Sequence, residues 1–296
     1  MRFSVEYPVS AAGYDPALLT RSGLTTVARA VETAGFDAIG FTEHPAPSQK
    51  WMSAGGHDTL DVVAALSFCA AVTSTLTLMP YLLVLPYYNA FALAKSLTTL
   101  DVISDGRLLV VAGTGYLRSE FLALSVDMEA RNDRFDESVE VMRGAWSTVP
   151  FTHEGTHFTG RGVAQRPMPR QVGGPRILVG GNGRLARRRA AELDGWSPLL
   201  IQGPVTATVR TPPLDLAGFA RGVAAIRDRS GRDDLEFQVQ SSAARYLSGG
   251  SSVEQHRDHL GELSTAGATR FVVQPPGCAP EALVDRLLEY GETFIT

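Results

Sequence analysis

Three short runs hold the residues best suited to chemistry, and each closes or follows an apolar stretch. Glu43-His44 follows Ala38 to Thr42, Gly113-Thr114-Gly115-Tyr116 follows Arg107 to Ala112, and Gly180-Gly181-Asn182 ends the stretch from Ile177. A histidine titrates near ~6.5 when unperturbed and so can exchange a proton at neutral pH. His44, with Glu43 beside it, reads either as that proton handler or as a structural His–Glu pair opening a loop. The glycines let backbone approach a ligand closely and present amide N–H groups. The run at Gly180 also opens a helix near Arg184, where free N–H groups and the positive end of the dipole would receive an anion. Arg184, Arg187, Arg188 and Arg189 then read as a solvated helix face, or Arg184 as a grip on an anionic cofactor tail.

Other polar residues carry less. Glu120 with Arg131 or Arg134 reads as a structural ion pair, and His57, His153 and His157 fall in loops without ligand-like partners. No metal-type spacing, Walker loop or Gly-x-Ser-x-Gly elbow is present. Cys69 and Cys278 are far apart and read as reduced thiols of a cytoplasmic protein.

The elements that must position these residues alternate in kind. Strand-like runs at Phe3 to Tyr7, Ala38 to Thr42, Leu76 to Val84 and Arg107 to Ala112 are each followed by a stretch with helical spacing. The pattern continues at Ile177 to Gly180, Ser197 to Ile201, Leu235 to Val239 and Arg270 to Val273. Pro198 must then begin its strand. Gly35 reads as a helix C-cap, Asn89 as an N-cap and Pro280 as a first helical residue. Eight strand–helix units predict a parallel sheet closed into an α/β, (β/α)8 TIM barrel, a single domain over 1–296. Two long interruptions, Phe151 to Pro175 after the fourth helix and Gln202 to Pro213 after the sixth strand, read as insertions. In such a barrel the reacting groups lie on the loops after the strands.

Composition excludes other classes. Of 296 residues 44% are hydrophobic and 20% charged, with a formal net charge of -4, so no basic stripe points to nucleic acid. No apolar run reaches the ~18 residues a membrane helix needs, and the N-terminus goes straight into a strand without a signal-peptide core.

With these residues in view, the chain resembles the luciferase-like monooxygenase superfamily over roughly residues 20 to 200. The resemblance runs through Ala34-Gly35-Phe36-Asp37-Ala38-Ile39, Glu43-His44, Leu100-Asp101, Ser104-Asp105-Gly106-Arg107-Leu108, Gly113-Thr114-Gly115 and Glu120-Phe121. It continues through Arg131, Asp136-Glu137, Trp146, Pro167-Met168-Pro169, Val179-Gly180-Gly181-Asn182 and Asp194-Gly195-Trp196. Val84-Leu85-Pro86 with Asn89, and Gly115 to Glu120, are most similar to the F420-dependent oxidoreductases of that group.

The resemblance implies a barrel binding coenzyme F420, or alternatively FMN, at its C-terminal mouth. It implies cofactor contacts at Glu43, His44, Leu82, Leu83, Thr114, Gly115, Gly180, Gly181 and Asn182. His44 and Tyr116 are then the catalytic candidates. It also implies a non-proline cis peptide, by position Leu82–Leu83, in the third strand. Tyr116 stands where the family's glucose-6-phosphate dehydrogenases carry a catalytic Glu, and Lys50 and Lys95 are the only lysines, which argues against a sugar phosphate. The leading expectation is hydride transfer between the deazaflavin and a small, largely apolar organic substrate by a homodimer. The alternatives are an FMN monooxygenase fed reduced flavin by a separate reductase, and a flavin-binding protein without turnover.

Overall fold

The protein, described from a computed structural model over residues 1–203, 206 and 210–295, is built from alternating strands and helices. In chain order these are β1 (Arg2–Glu6), α1 (Arg21–Thr33), β2 (Ala38–Phe41), α2 (Gln49–Ser53), α3 (Val62–Val72), β3 (Thr77–Val84), α4 (Ala90–Ile103) and β4 (Leu109–Gly113). There follow α5 (Arg118–Ala123), α6 (Arg131–Ser147), β5 (Phe151–Glu154), β6 (Thr159–Val163), β7 (Arg176–Gly180), α7 (Arg184–Glu192), β8 (Gly195–Ser197) and β9 (Leu199–Leu200). The last elements are α8 (Leu216–Ser230), β10 (Glu236–Ser241), α9 (Val253–Thr265), β11 (Arg270–Val273) and α10 (Pro280–Phe294).

The main sheet runs β11-β1-β2-β3-β4-β7-β8-β10, and β10 pairs back onto β11, so eight strands close on themselves. This is the (β/α)8 barrel that the alternation predicts. Its strands are buried on both faces, which is why β4 reads LVVAG and β11 RFVV rather than alternating with polar residues. The helix boundaries follow their capping residues. Asn89 Oδ1 accepts from the Phe91 and Ala92 N–H groups at 3.1 and 3.2 Å, and Pro280 is the first residue of α10.

Two predicted elements differ. The sixth strand is broken at Pro198 into β8 and β9, both paired with β10, rather than starting there. Proline has no N–H to give the ladder, so pairing lapses at that residue and resumes beyond it. The insertion after the fourth helix holds an antiparallel hairpin, β5–β6, that the sequence pattern did not suggest. Its turn is fastened from outside: the Glu137 carboxylate on α6 accepts from the His157 and Phe158 N–H groups. His153 accordingly lies on a strand with a partner, Glu137 at 3.2 Å, not in a loop. Of the second insertion, residues 204, 205 and 207–209 lie outside the described residues.

The chain divides into two compact units, one of residues 1–40, 75–77 and 177–296 and one of 41–74 and 78–176. In the first, a polar network sits at the starts of three strands. Arg270 donates to Glu236 at 2.5 Å and to Ser4 at 3.0 Å, and Arg2 donates to the other Glu236 oxygen at 2.7 Å. Arg270 and Glu236 are each 2% exposed. The second unit carries the site described next. Among the described residues no helix is long and apolar enough to cross a membrane.

Candidate functional site

Within the unit of residues 41–74 and 78–176, β2 ends at Phe41 and the next turn buries Glu43. One Glu43 oxygen accepts the Val84 N–H at 2.5 Å and the other accepts the Tyr88 hydroxyl. The turn after β3, Leu85–Tyr87 with Pro86 inside it, brings two consecutive tyrosines into this region. Burial pushes the Glu43 carboxyl up to about 7, and the Asp61 and Glu120 carboxylates add to the rise against the two hydrogen bonds.

His44 is fixed from both ends. Its N–H donates to Thr59 Oγ1 at 3.3 Å, and Thr59 returns a hydrogen bond to the His44 carbonyl at 3.1 Å. Nδ1 lies 3.3 Å from Glu120 Oε2. That same oxygen accepts the Tyr87 hydroxyl at 2.8 Å, and Oε1 accepts the Ala46 N–H at 3.4 Å. Glu120 is 1% exposed. A carboxylate that collects donors favours a protonated Nδ1, which leaves the Nε2 lone pair as the ring's basic position. Nε2 has no protein partner among the described residues. Burial raises both the Tyr87 and Tyr88 hydroxyls, so each stays protonated and serves its glutamate as a donor. Around the imidazole lie the rings of Trp51, His57 and Tyr116, with centroids 4.4, 5.3 and 5.9 Å away.

The remaining predicted residues of this unit surround the same cluster unevenly. Leu82 packs against Val84, Tyr87 and Phe121, whereas Leu83 is fully buried and pairs in register with Ala112. The cis peptide is Tyr81–Leu82, one residue before the expected bond, at the point where the β3–β4 register shifts. Thr114 is half-buried. Gly115 has φ +75, and a carbon there would meet Val84 at 2.7 Å and the Tyr87 hydroxyl at 3.1 Å. Only glycine lets the β4 end pass so close to the turn bearing the tyrosines.

Among the described residues no ion pair joins Glu120 to Arg131 or Arg134. Arg131 donates to the Met128 carbonyl, and Arg134 to the Pro86 and Tyr88 carbonyls, so Arg134 braces the tyrosine turn while Glu120 serves His44. His57, read from sequence as a loop residue without ligand-like partners, stands against both His44 and Trp51.

The third run belongs to the other unit. β7 ends at Gly180, Gly181 has φ +99, and α7 starts at Arg184 behind an N-cap, Gly183, that makes no side-chain cap bond. A carbon at Gly183 would meet nothing within 4 Å, and at Gly181 only Ala186 at 3.9 Å. An uncapped helix start with open space over its glycines fits a phosphate group. Asn182 does different work. Its side-chain amide donates to the Leu199 and Pro212 carbonyls and accepts from the Leu199 N–H, so it ties β9 and the 211–212 segment to this turn. Arg184 and Arg188 are exposed, while Arg187 donates to the Asn182 carbonyl at 2.9 Å.

Sequence reasoning found the strand-end runs but gave Glu120 to an ion pair and missed Tyr87, Tyr88 and Trp51. The adjacent Tyr87-Tyr88 after a Pro-containing strand end was the one available signal.

Residues 1–244 match the model of the family described as luciferase-like monooxygenase. The chain belongs to that family. A curated relative, the FMNH(2)-dependent dimethylsulfone monooxygenase of Pseudomonas fluorescens, is 34% identical over 129 residues, 43% of this chain and 35% of its own length. The F420-dependent glucose-6-phosphate dehydrogenase of Microbacterium testaceum is 26% identical over 190 residues, 62% of this chain and 52% of its own. The chain thus spans about a third to a half of these luciferase-like relatives. The crystal structure of a Streptomyces bottropensis monooxygenase covers 100% of this chain and 99% of its own with a TM-score of 0.78 at 21% identity, a likeness of fold.

Proposed function

We propose that this luciferase-like chain is an F420-dependent oxidoreductase acting on a small organic molecule. The observation that carries the reading is His44, held at Nδ1 by Glu120, itself held by the Tyr87 hydroxyl, so that Nε2 is left to take or give a proton beside a hydride transfer. When bound, the deazaflavin would supply or accept the hydride. The chain's residues do the rest. The uncapped start of α7 with Gly181 and Gly183 would hold a phosphate. Glu43, with its carboxyl near neutrality, stores a second proton in the unit that carries His44. Tyr116 would donate a hydrogen bond to the substrate, and Leu82, Leu83, Thr114, Gly115 and Gly180 would contact the cofactor largely through backbone. A homodimer in the cytoplasm completes the proposal.

A second reading has its own support. The 34% identity to an FMNH(2)-dependent monooxygenase favours FMN as cofactor, delivered reduced by a separate enzyme. Titration of the chain with each cofactor, followed by fluorescence, separates them. Micromolar F420 affinity with no FMN binding is expected, and tight FMN binding without F420 binding overturns the first reading in favour of the second.

A further inference from the structure

Two residues of α6, three apart, grip two segments that are distant in sequence. Arg134 donates from Nε to the Pro86 carbonyl at 2.8 Å and from Nη2 to the Tyr88 carbonyl at 3.1 Å. Glu137 accepts the Phe158 N–H at 2.7 Å and the His157 N–H at 2.9 Å, which docks the turn of the β5–β6 hairpin. Residues three apart on a helix share a face, so the two grips are neighbours. Phe158 joins them. Its ring lies against the Arg134 guanidinium, with Cζ 4.6 Å from the centroid, where the negative face of the ring attracts the cation. Phe158 is itself only 4% exposed and packs with Ala90 and Val141. Burial works against the Arg134 charge, and the Glu137 carboxylate offsets part of that.

What Arg134 holds is the turn that carries both tyrosines. The Pro86 and Tyr88 carbonyls flank Tyr87, so the fork of one guanidinium fixes the backbone on each side of that residue. Tyr87 then donates to Glu120 at 2.8 Å, and Tyr88 donates to Glu43. Hydrogen bonds weaken steeply outside a narrow range of length and angle, so a small rotation of this turn loosens both.

We propose that the β5–β6 hairpin is coupled to the proton-handling cluster through Arg134, which acts as a positioning residue. Phe158 sets the guanidinium, the guanidinium sets the tyrosine turn, and the turn sets how firmly Glu43 and Glu120 are held. The inference rests on the reading of Glu43, His44 and Glu120 as the groups that handle protons, and it brings the insertion after the fourth helix into their control.

The titration of Glu43 tests the coupling, read from the carbon-13 signal of its carboxyl on the full chain without cofactor and assigned by its loss in Glu43→Gln. The groups facing that carboxyl are the Val84 N–H, the Tyr88 hydroxyl, Asp61 and Glu120. The Tyr88 hydroxyl favours the ionised form, so loosening it moves the midpoint up. Tyr88→Phe should raise the midpoint by about one unit, the ten-fold worth of a hydrogen bond to a charged group. Arg134→Met should raise it by about half as much. Arg134→Lys keeps the charge but cannot meet both carbonyls in the geometry of the fork, and should raise it equally. Phe158→Leu should give a smaller rise.

In the Tyr88→Phe background Arg134→Met should add nothing, because its path runs through that hydroxyl, whereas a direct effect of charge would persist. Arg270→Met, which weakens the fold elsewhere, should leave the midpoint in place, and circular dichroism checks that each variant is folded. An unmoved midpoint in both Arg134 variants, or a shift undiminished in the double variant, overturns the proposal. An unmoved midpoint in Phe158→Leu overturns the part played by the hairpin. If the midpoints move as expected while neither F420 nor FMN binds, the cofactor reading falls and the coupling stands.

Discussion

Glu236 and Glu43 are both buried glutamates near the ends of barrel strands, and their surroundings could hardly differ more. Glu236, at the start of β10, meets two guanidinium groups, Arg270 at 2.5 Å and Arg2 at 2.7 Å. Glu43, just past the end of β2, meets a backbone N–H and a phenol, with two more carboxylates contributing repulsion. Breaking a buried pair is costly because it strands a charge, so the first arrangement holds the strand starts in register. The second leaves a carboxyl whose proton comes and goes near neutrality. One region spends its charges on the fold, and the other keeps them available for chemistry.

The largest effect expected from this contrast is on stability at the strand starts. Arg270→Met removes the buried guanidinium from Glu236 and leaves the Arg2 contact, whose side chain is 46% exposed. The loss should be about 3 kcal/mol, the low end for a broken buried pair because one partner survives. Urea unfolding measures it, and a loss under about 1 kcal/mol would show the pair to be dispensable.

Glu43 should behave in the opposite way. Burial lifts its folded carboxyl from an ordinary 4.5 to about 7. A raised carboxyl binds its proton more tightly in the folded state. Stability is therefore highest below pH 4.5 and declines as the pH rises through 7. Glu43→Gln removes that slope, and the Tyr88 hydroxyl can turn to accept from the new amide. The variant should match the wild type near pH 4 and exceed it at pH 8 by on the order of 3 kcal/mol. Parallel stability profiles for the two proteins would mean that Glu43 is ionised throughout, as a paired carboxylate would be.

How far the sequence revealed these regions depends on the reach of the contacts involved. β11 is found at Arg270–Val273 as predicted, and Asn89 and Pro280 start their helices, because each obeys a local rule. The Glu43-His44 run was legible because it directly follows a strand. Glu120, 76 residues beyond His44, was read as an ion pair with Arg131 or Arg134, and only the side-by-side order of β2, β3 and β4 brings it to the imidazole. The β5–β6 hairpin was missed for a related reason. Its strands lack apolar alternation, and its turn is held by Glu137 from α6 rather than by its own residues. Pro198 was correctly seen as a problem for the ladder, but the strand resumes after it instead of starting there.

The account turns on Glu120 giving His44 one tautomer, with the proton on Nδ1 and the lone pair on Nε2. Long-range proton–nitrogen NMR of the imidazole signals, with His44 assigned through a His44→Gln variant, reads this directly above the histidine titration. The predicted spectrum shows His44 protonated at Nδ1, and Glu120→Gln mixes the two tautomers. A wild-type His44 protonated at Nε2 would contradict the account, since Nδ1 would then be accepting a proton from Glu120 and the proton-handling nitrogen would be the wrong one.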